Sequence, residues 1–289
     1  MSNPFFRVAG LTLLSLVLTG ALAAHQDEAE EAPRRWRILV TNDDGIQSKA
    51  LAELVSALAG HADVVVCAPD SNRSGSSQSV QAFGRPMTVK ETAMPGASTA
   101  YAVGGSPADA VCYGVVALGA DRPFDLVVSG INQGANVGEV SHYSGTVGAA
   151  MEGAYRGIPS IAVSQGGRWQ DFSFSAHFTA RFVEELRRRG ARRGVVYSIN
   201  VPTARAEDLA GVAVRPMGGS YIAVEGFTPP EGDGDVLSVR SNLRFHRDAP
   251  EGSDTAAILE SYVTVTPLRF DWTDRDALSD LLSWELSTD

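Results

Sequence analysis

The sequence predicts an α/β protein: a mainly parallel sheet with helices on both faces. Three observations predict it. From Arg37 onward, short apolar runs of strand length alternate with helical stretches. Polar, glycine-containing loops follow several of those runs. After Pro202 the composition changes to Gly and Pro clusters separated by short strand-like runs, which suggests hairpins projecting from the core.

The elements follow in order. Trp36 to Val40 reads as a buried strand and Ala50 to Leu58 as a helix. Asp63 to Cys67 is a second buried strand. Ser106 to Leu118 is a helix opened by the capping box Ser106-Pro107-Ala108-Asp109, with Pro at the first helical position. Phe124 to Val128 is a strand, Gly145 to Tyr155 a helix, and Ser160 to Val163 a strand. Phe174 to Arg189 is an amphipathic helix and Val195 to Ile199 a further strand. Continuous apolar strands of this kind are buried on both faces. Residues 37–202 therefore form the expected α/β core. Residues 203–270 form an expected β-rich extension with strand-like runs at Val236 to Val239 and Tyr262 to Val265, suited to subunit contacts. Residues 271–289 contain an expected closing helix, Asp274 to Leu286.

The N-terminus lies outside that fold. Arg7 precedes an uncharged stretch from Val8 to Ala24, and Ala21-Leu22-Ala23 is an A-x-A cleavage pattern. Residues 1–23 read as a secretory signal peptide, and 24–36 as a disordered, charged spacer. The apolar stretch is short for a span of about 20 residues. An uncleaved N-terminal anchor is the alternative. A periplasmic or secreted protein with no stable membrane anchor after cleavage is the expectation.

With 34 acidic and 24 basic residues, the formal net charge is −10. Such a chain is a poor generic partner for nucleic acid polymers. Small phosphorylated substrates stay open, because a metal can supply local positive charge. Cys67 and Cys112 lack metal-ligand spacing. Two buried thiols are expected, with pairing in an oxidising compartment as the alternative.

The chemistry concentrates in four loops. Thr41-Asn42-Asp43-Asp44-Gly45-Ile46 puts adjacent carboxylates at the end of the first strand. The others are Pro69 to Ser77 after the second strand, Ser129 to Gly138 after the strand ending at Val128, and Tyr143 to Thr146 at a helix start. If the strands are parallel neighbours, all four emerge at the edge where open α/β sheets bind ligands. Asp43 and Asp44 offer anionic oxygens, and Ser74 and Asn132 neutral ones. That set suits one Mg²⁺, Mn²⁺ or Ca²⁺ ion better than zinc. Ser144-Gly145-Thr146 offers hydroxyls and free N–H groups to an anion. Taken singly, each piece has a purely structural reading: the acids and Ser144 as helix caps, Ser74 as a turn residue, Asn132 as a loop-fixing Asx side chain. Together they describe a phosphoryl site. No nucleophilic triad is visible, so attack by metal-activated water is the simplest route.

These loops resemble the SurE family, the stationary-phase survival proteins E that act as metal-dependent 5′/3′-nucleotidases. The resemblance is carried by Ile38 to Ile46, Ala68 to Ser79, Gly104 to Gly114, Asp125 to Gly138, Tyr143 to Gly153 and Ile199 to Pro202, and more weakly by Ser253 to Leu268. It implies metal ligands at Asp43, Asp44, Ser74 and Asn132, and a phosphate-contacting turn at Ser144, Gly145 and Thr146. It also implies a Rossmann-like core with a C-terminal β-hairpin extension used in homodimers or homotetramers. The implied activity is hydrolysis of nucleoside monophosphates, with short polyphosphate as a substrate of some members. The chain departs from the family at Ser48-Lys49-Ala50, where Ala-Pro-Gly is usual, and from Thr203 to Pro250. Two rivals are an exported nucleotide- or metal-binding module without turnover, and a haloacid-dehalogenase-like phosphatase. The latter needs an acid two residues past its nucleophile, where Gly45 stands relative to Asp43.

Overall fold

The computed structural model describes residues 34–167, 171–232 and 234–288. Residues 1–23, expected as a signal peptide, and residues 24–33 of the expected spacer lie outside the described residues. The elements are β1 (Trp36–Thr41), α1 (Lys49–Ala59), β2 (Ala62–Pro69), β3 (Val89–Thr92), β4 (Thr99–Val103) and α2 (Pro107–Tyr113). They continue as β5 (Leu126–Gln133), α3 (Gly145–Tyr155), β6 (Ser160–Gln165), α4 (Ser173–Arg189) and β7 (Val195–Val201). The chain closes with β8 (Gly211–Val214), β9 (Ile222–Phe227), β10 (Ser241–Phe245), α5 (Asp254–Leu259), β11 (Tyr262–Arg269) and α6 (Arg275–Leu281).

A nine-stranded sheet runs in the order β3-β4-β2-β1-β5-β6-β7-β11-β8. The six strands from β4 to β7 are mutually parallel; β3 and β11 pair antiparallel to their neighbours β4 and β7. Side chains alternate across it as strand geometry dictates. Ile38, Val40, Val64 and Val66 join the cluster that α1 and α4 cover, while Leu39, Val65 and Cys67 join the cluster under α2 and α3. Both faces are thereby buried, and the apolar runs of the sequence are explained.

After β2 and β4 on one side of β1, the chain returns to place β5 on the other. The strand order reverses there, and ligands bind outside the carboxyl ends of such strands. The loops after β1, β2 and β5 meet at that point.

The expected β-rich extension over 203–270 needs correction. β8 and β11 belong to the main sheet, and β9 with β10 alone forms a separate two-stranded hairpin. Composition marks strands but not their partners. The run at Val236 to Val239 forms no strand; Ser238 makes an isolated bridge to Glu231. The closing helix is shorter than expected, Arg275–Leu281, and exposed throughout. Cys67 is buried and Cys112 only half-buried, where Arg156 Nη2 lies 3.0 Å from its sulfur; both thiols are free.

Candidate active site

The acidic turn is built by its neighbours. Asn42 is fully buried; its Oδ1 accepts from the Gly45 N–H at 3.1 Å and its Nδ2 donates to the Gly45 carbonyl at 3.0 Å. Gly45 has φ +101°, and a Cβ there would lie 3.1 Å from the Ser71 backbone carbon. A side chain there would be strained on both counts. Asp43 and Asp44 are thus presented at fixed positions beyond β1. The second loop is tied to this turn, because the Arg73 N–H donates to the Asp43 carbonyl at 2.7 Å. That loop also lies against α3 at Gly148, where a Cβ would meet the Ser77 carbonyl oxygen at 2.0 Å.

Asp43 is only 3 % exposed. Its Oδ1 accepts a 2.6 Å hydrogen bond from Thr146 Oγ1, itself fully buried. Burial pushes its carboxyl pKa up, while the Thr146 hydroxyl and the backbone amides of Asp43 and Thr146 pull it down. The start of α3 therefore holds the protein's own Asp43 carboxylate, and the Thr146 hydroxyl is engaged with it. Gly145 permits the approach, since a Cβ would lie 2.7 Å from Ser76 Oγ and 2.9 Å from Asp43 Cβ.

Asp44 Oδ1 accepts from Asn72 Nδ2 at 3.3 Å, whereas its buried Oδ2 has no hydrogen-bond partner. Burial first, and the Asp43 charge second, push its pKa up to about 6, against the pull of the Gln133 backbone amide. A buried carboxylate oxygen without a donor, beside a second buried carboxylate, is a site short of positive charge.

β5 supplies the amide. Its pairing with β6 slips between Ser129 and Asn132, an irregularity of the kind that re-aims side chains. Asn132 Nδ2 donates to the Gly134 carbonyl at 2.8 Å, which leaves Oδ1 as the acceptor on offer. The Ser144 hydroxyl caps α3 by accepting from the Val147 N–H at 3.1 Å.

Asp43, Ser74, Asn132 and Ser144 line one cavity of about 1040 Å³. Asp44 borders a neighbouring pocket of about 420 Å³ with Asn72, and Gln133 lines both. Gly145 and Thr146 stand behind Asp43 and do not line the cavity. Among the described residues no group of three His, Cys, Asp or Glu side chains is placed to hold a metal. A cation here would draw on the hydroxyl and amide oxygens as well, which fits a hard divalent ion. Three participants were missed from sequence: Asn42, Ser76 with its buried unpartnered Oγ, and Asp254. Asp254 accepts from the Gly138 and Gly218 N–H groups at 3.0 and 2.9 Å, tying the loop after β5 to the root of the hairpin. His142, without an expected role, lines the cavity.

The family model described as Survival protein SurE matches residues 38–223. The chain belongs to the SurE family. A SurE relative from Syntrophus aciditrophicus (strain SB), named 5′-nucleotidase, is 39 % identical over 248 residues, 85 % of this chain and 92 % of its own length. A SurE relative from Yersinia pestis, named 5′/3′-nucleotidase, is 38 % identical over 253 residues, 88 % of this chain and 97 % of its own. The crystal structure of the SurE protein from Aquifex aeolicus superposes with a TM-score of 0.74 at 35 % identity, covering 85 % of this chain and 98 % of that one. The SurE match spans the acidic turn, the second loop, Asn132 and the start of α3.

Proposed function

We propose that this SurE-family chain is a divalent-metal-dependent phosphomonoesterase that hydrolyses nucleoside 5′- or 3′-monophosphates to nucleoside and phosphate. The observation that carries this reading is the unpartnered Asp44 oxygen beside Asp43, whose own cavity is shared with Ser74, Asn132 and Ser144. The names of the relatives support the substrate class.

Asp43, Asp44, Ser74 and Asn132 would hold one Mg²⁺, Mn²⁺ or Ca²⁺ ion. When bound, such an ion supplies Lewis acidity toward water and toward the phosphoryl oxygens. The chain does the positioning. Thr146 locks the Asp43 carboxylate, Asn42 fixes the turn, and Gly134 orients the Asn132 amide. Ser144 and Asn132, which line the cavity, offer contacts to the phosphoryl group. The ester P–O bond breaks and water supplies the new oxygen on phosphorus. A covalent route like that of haloacid dehalogenases has no second acid available, because the position is Gly45 at φ +101° against the Ser71 backbone.

Two further parts belong to this proposal. The chain acts in the periplasm or outside the cell after loss of 1–23, and N-terminal sequencing of the exported protein tests that. It works as a homodimer or homotetramer. Exposed Phe227 and Phe245 on the hairpin, and Trp284 and Leu286 near the C-terminus, support a covered surface.

The test is phosphate release from AMP, GMP and p-nitrophenyl phosphate with Mg²⁺ or Mn²⁺ and after chelation by EDTA. Release that needs the ion is expected. Release surviving thorough chelation contradicts the metal role, and no release with any ion leaves a binding module.

A further inference from the structure

A phosphoryl group fills little of a cavity of about 1040 Å³. Small-molecule sites span roughly 300–1,000 Å³, so there is room here for a whole nucleoside as well. Asp43, Ser74, Asn132 and Ser144 account for one polar part of the wall. Another part comes from the β9–β10 hairpin: Ile222, Ala223, Val224 and Leu243. Val224 and Leu243 are partners across the antiparallel pair, so their side chains share a face. Ile222 stands two residues from Val224 and falls on that face too. Tyr143 completes the rim with 71 % of its surface exposed.

The charge of the lining is equally informative. Among the described residues no Lys or Arg lines the cavity; its acids are Asp43 and Glu139, and His142 is its one imidazole. Among the described residues, a second or third phosphate would meet carboxylates and apolar surface, with His142 the one basic side chain in reach. A flat aromatic base finds what it needs: aliphatic side chains and an exposed phenol ring. The hairpin is held in place for this. Gly138 and Ser220 form a bridge, the Glu139 N–H donates to the Gly219 carbonyl at 2.9 Å, and Asp254 clamps both segments.

We propose that the hairpin face of Ile222, Val224 and Leu243, with Tyr143, is the nucleoside-reading surface of the site. It takes the base by apolar contact and stacking. It selects nucleoside monophosphates over phosphate esters that lack a base, and over nucleoside di- and triphosphates. The proposal rests on the phosphomonoesterase reading above and adds the residues that choose the substrate.

The experiment compares kcat/KM for AMP, ribose 5-phosphate, ADP and ATP with Mn²⁺. It uses the wild-type protein, the double variant Val224→Ser/Leu243→Ser, and Tyr143→Ala. Wild type should favour AMP over ribose 5-phosphate by roughly 10-fold or more, the scale of a small change in apolar pocket contact. It should also favour AMP over ADP and ATP. In each variant the AMP to ribose 5-phosphate ratio should fall toward one. Equal wild-type efficiency on AMP and ribose 5-phosphate overturns the proposal, whatever the variants do. So does an undiminished ratio in variants with wild-type circular dichroism. Hydrolysis of none of the four compounds by wild type would instead overturn the phosphomonoesterase reading, and this proposal with it.

Discussion

The loops at the strand ends and the hairpin beside them face one cavity but are built in opposite ways. The acidic turn is buried and cross-tied: Asn42 to Gly45, Arg73 to Asp43, and Thr146 to Asp43. The hairpin has two strands and a largely exposed surface, tied to the body at its root. On the reading proposed above, chemistry depends on rigid placement, whereas recognition falls to a more exposed surface. The SurE family model covers all of these loops and ends at residue 223, in the first residues of β9.

The comparison can be broken first at Asp43. Asp43→Asn removes half the charge of the carboxylate pair and should cost at least ~10²-fold in kcat/KM, the scale of losing a pre-organised electrostatic contact. Near wild-type turnover would remove Asp43 from the mechanism. Thr146→Val tests placement rather than charge. Losing a group that orients a ligand typically costs about 10–100-fold in metal affinity. Mn²⁺ titration followed by thermal shift should show that loss, and Thr146→Ser should restore it. Equal affinities in Thr146→Val and wild type would make the 2.6 Å bond incidental.

Sequence patterns carried much of this. The sheet was legible from 37 to 202 because each central strand is an apolar run buried on both faces. The acidic turn was legible because adjacent carboxylates at a strand end are chemically conspicuous. Thr146 was legible only as a helix-start residue: its bond to Asp43 spans 103 positions, and no local pattern encodes it. β3 and β4 were missed because Val89–Thr92 is half-exposed and Thr99–Val103 mixes polar with apolar residues. β11 was seen as a strand but assigned to the wrong sheet, since composition does not name a partner.

Two smaller effects sharpen the contrast through stability. In chelated protein, Asp44→Asn relieves repulsion between carboxylates that burial leaves poorly solvated. Its melting temperature should rise by about 2–4 °C, as ~1 kcal/mol does for a domain of this size. Added Mn²⁺ should then stabilise wild type but not the variant. A lower melting temperature for chelated Asp44→Asn would mean that the pair is not strained. On the hairpin side, Val236 is 86 % exposed, and Val236→Ser should change stability by no more than about 0.5 kcal/mol in denaturant titration. A larger loss would show that the hairpin tip is packed in solution, against another subunit.

The most direct test is a crystal structure of the mature protein soaked with Mn²⁺ and phosphate, with anomalous scattering used to place the metal. One peak should touch oxygens of Asp43, Asp44, Ser74 and Asn132, with phosphate beside it toward Ser144. No peak there, or an ion held by other residues while Asp44 Oδ2 stays without a partner, would contradict the account.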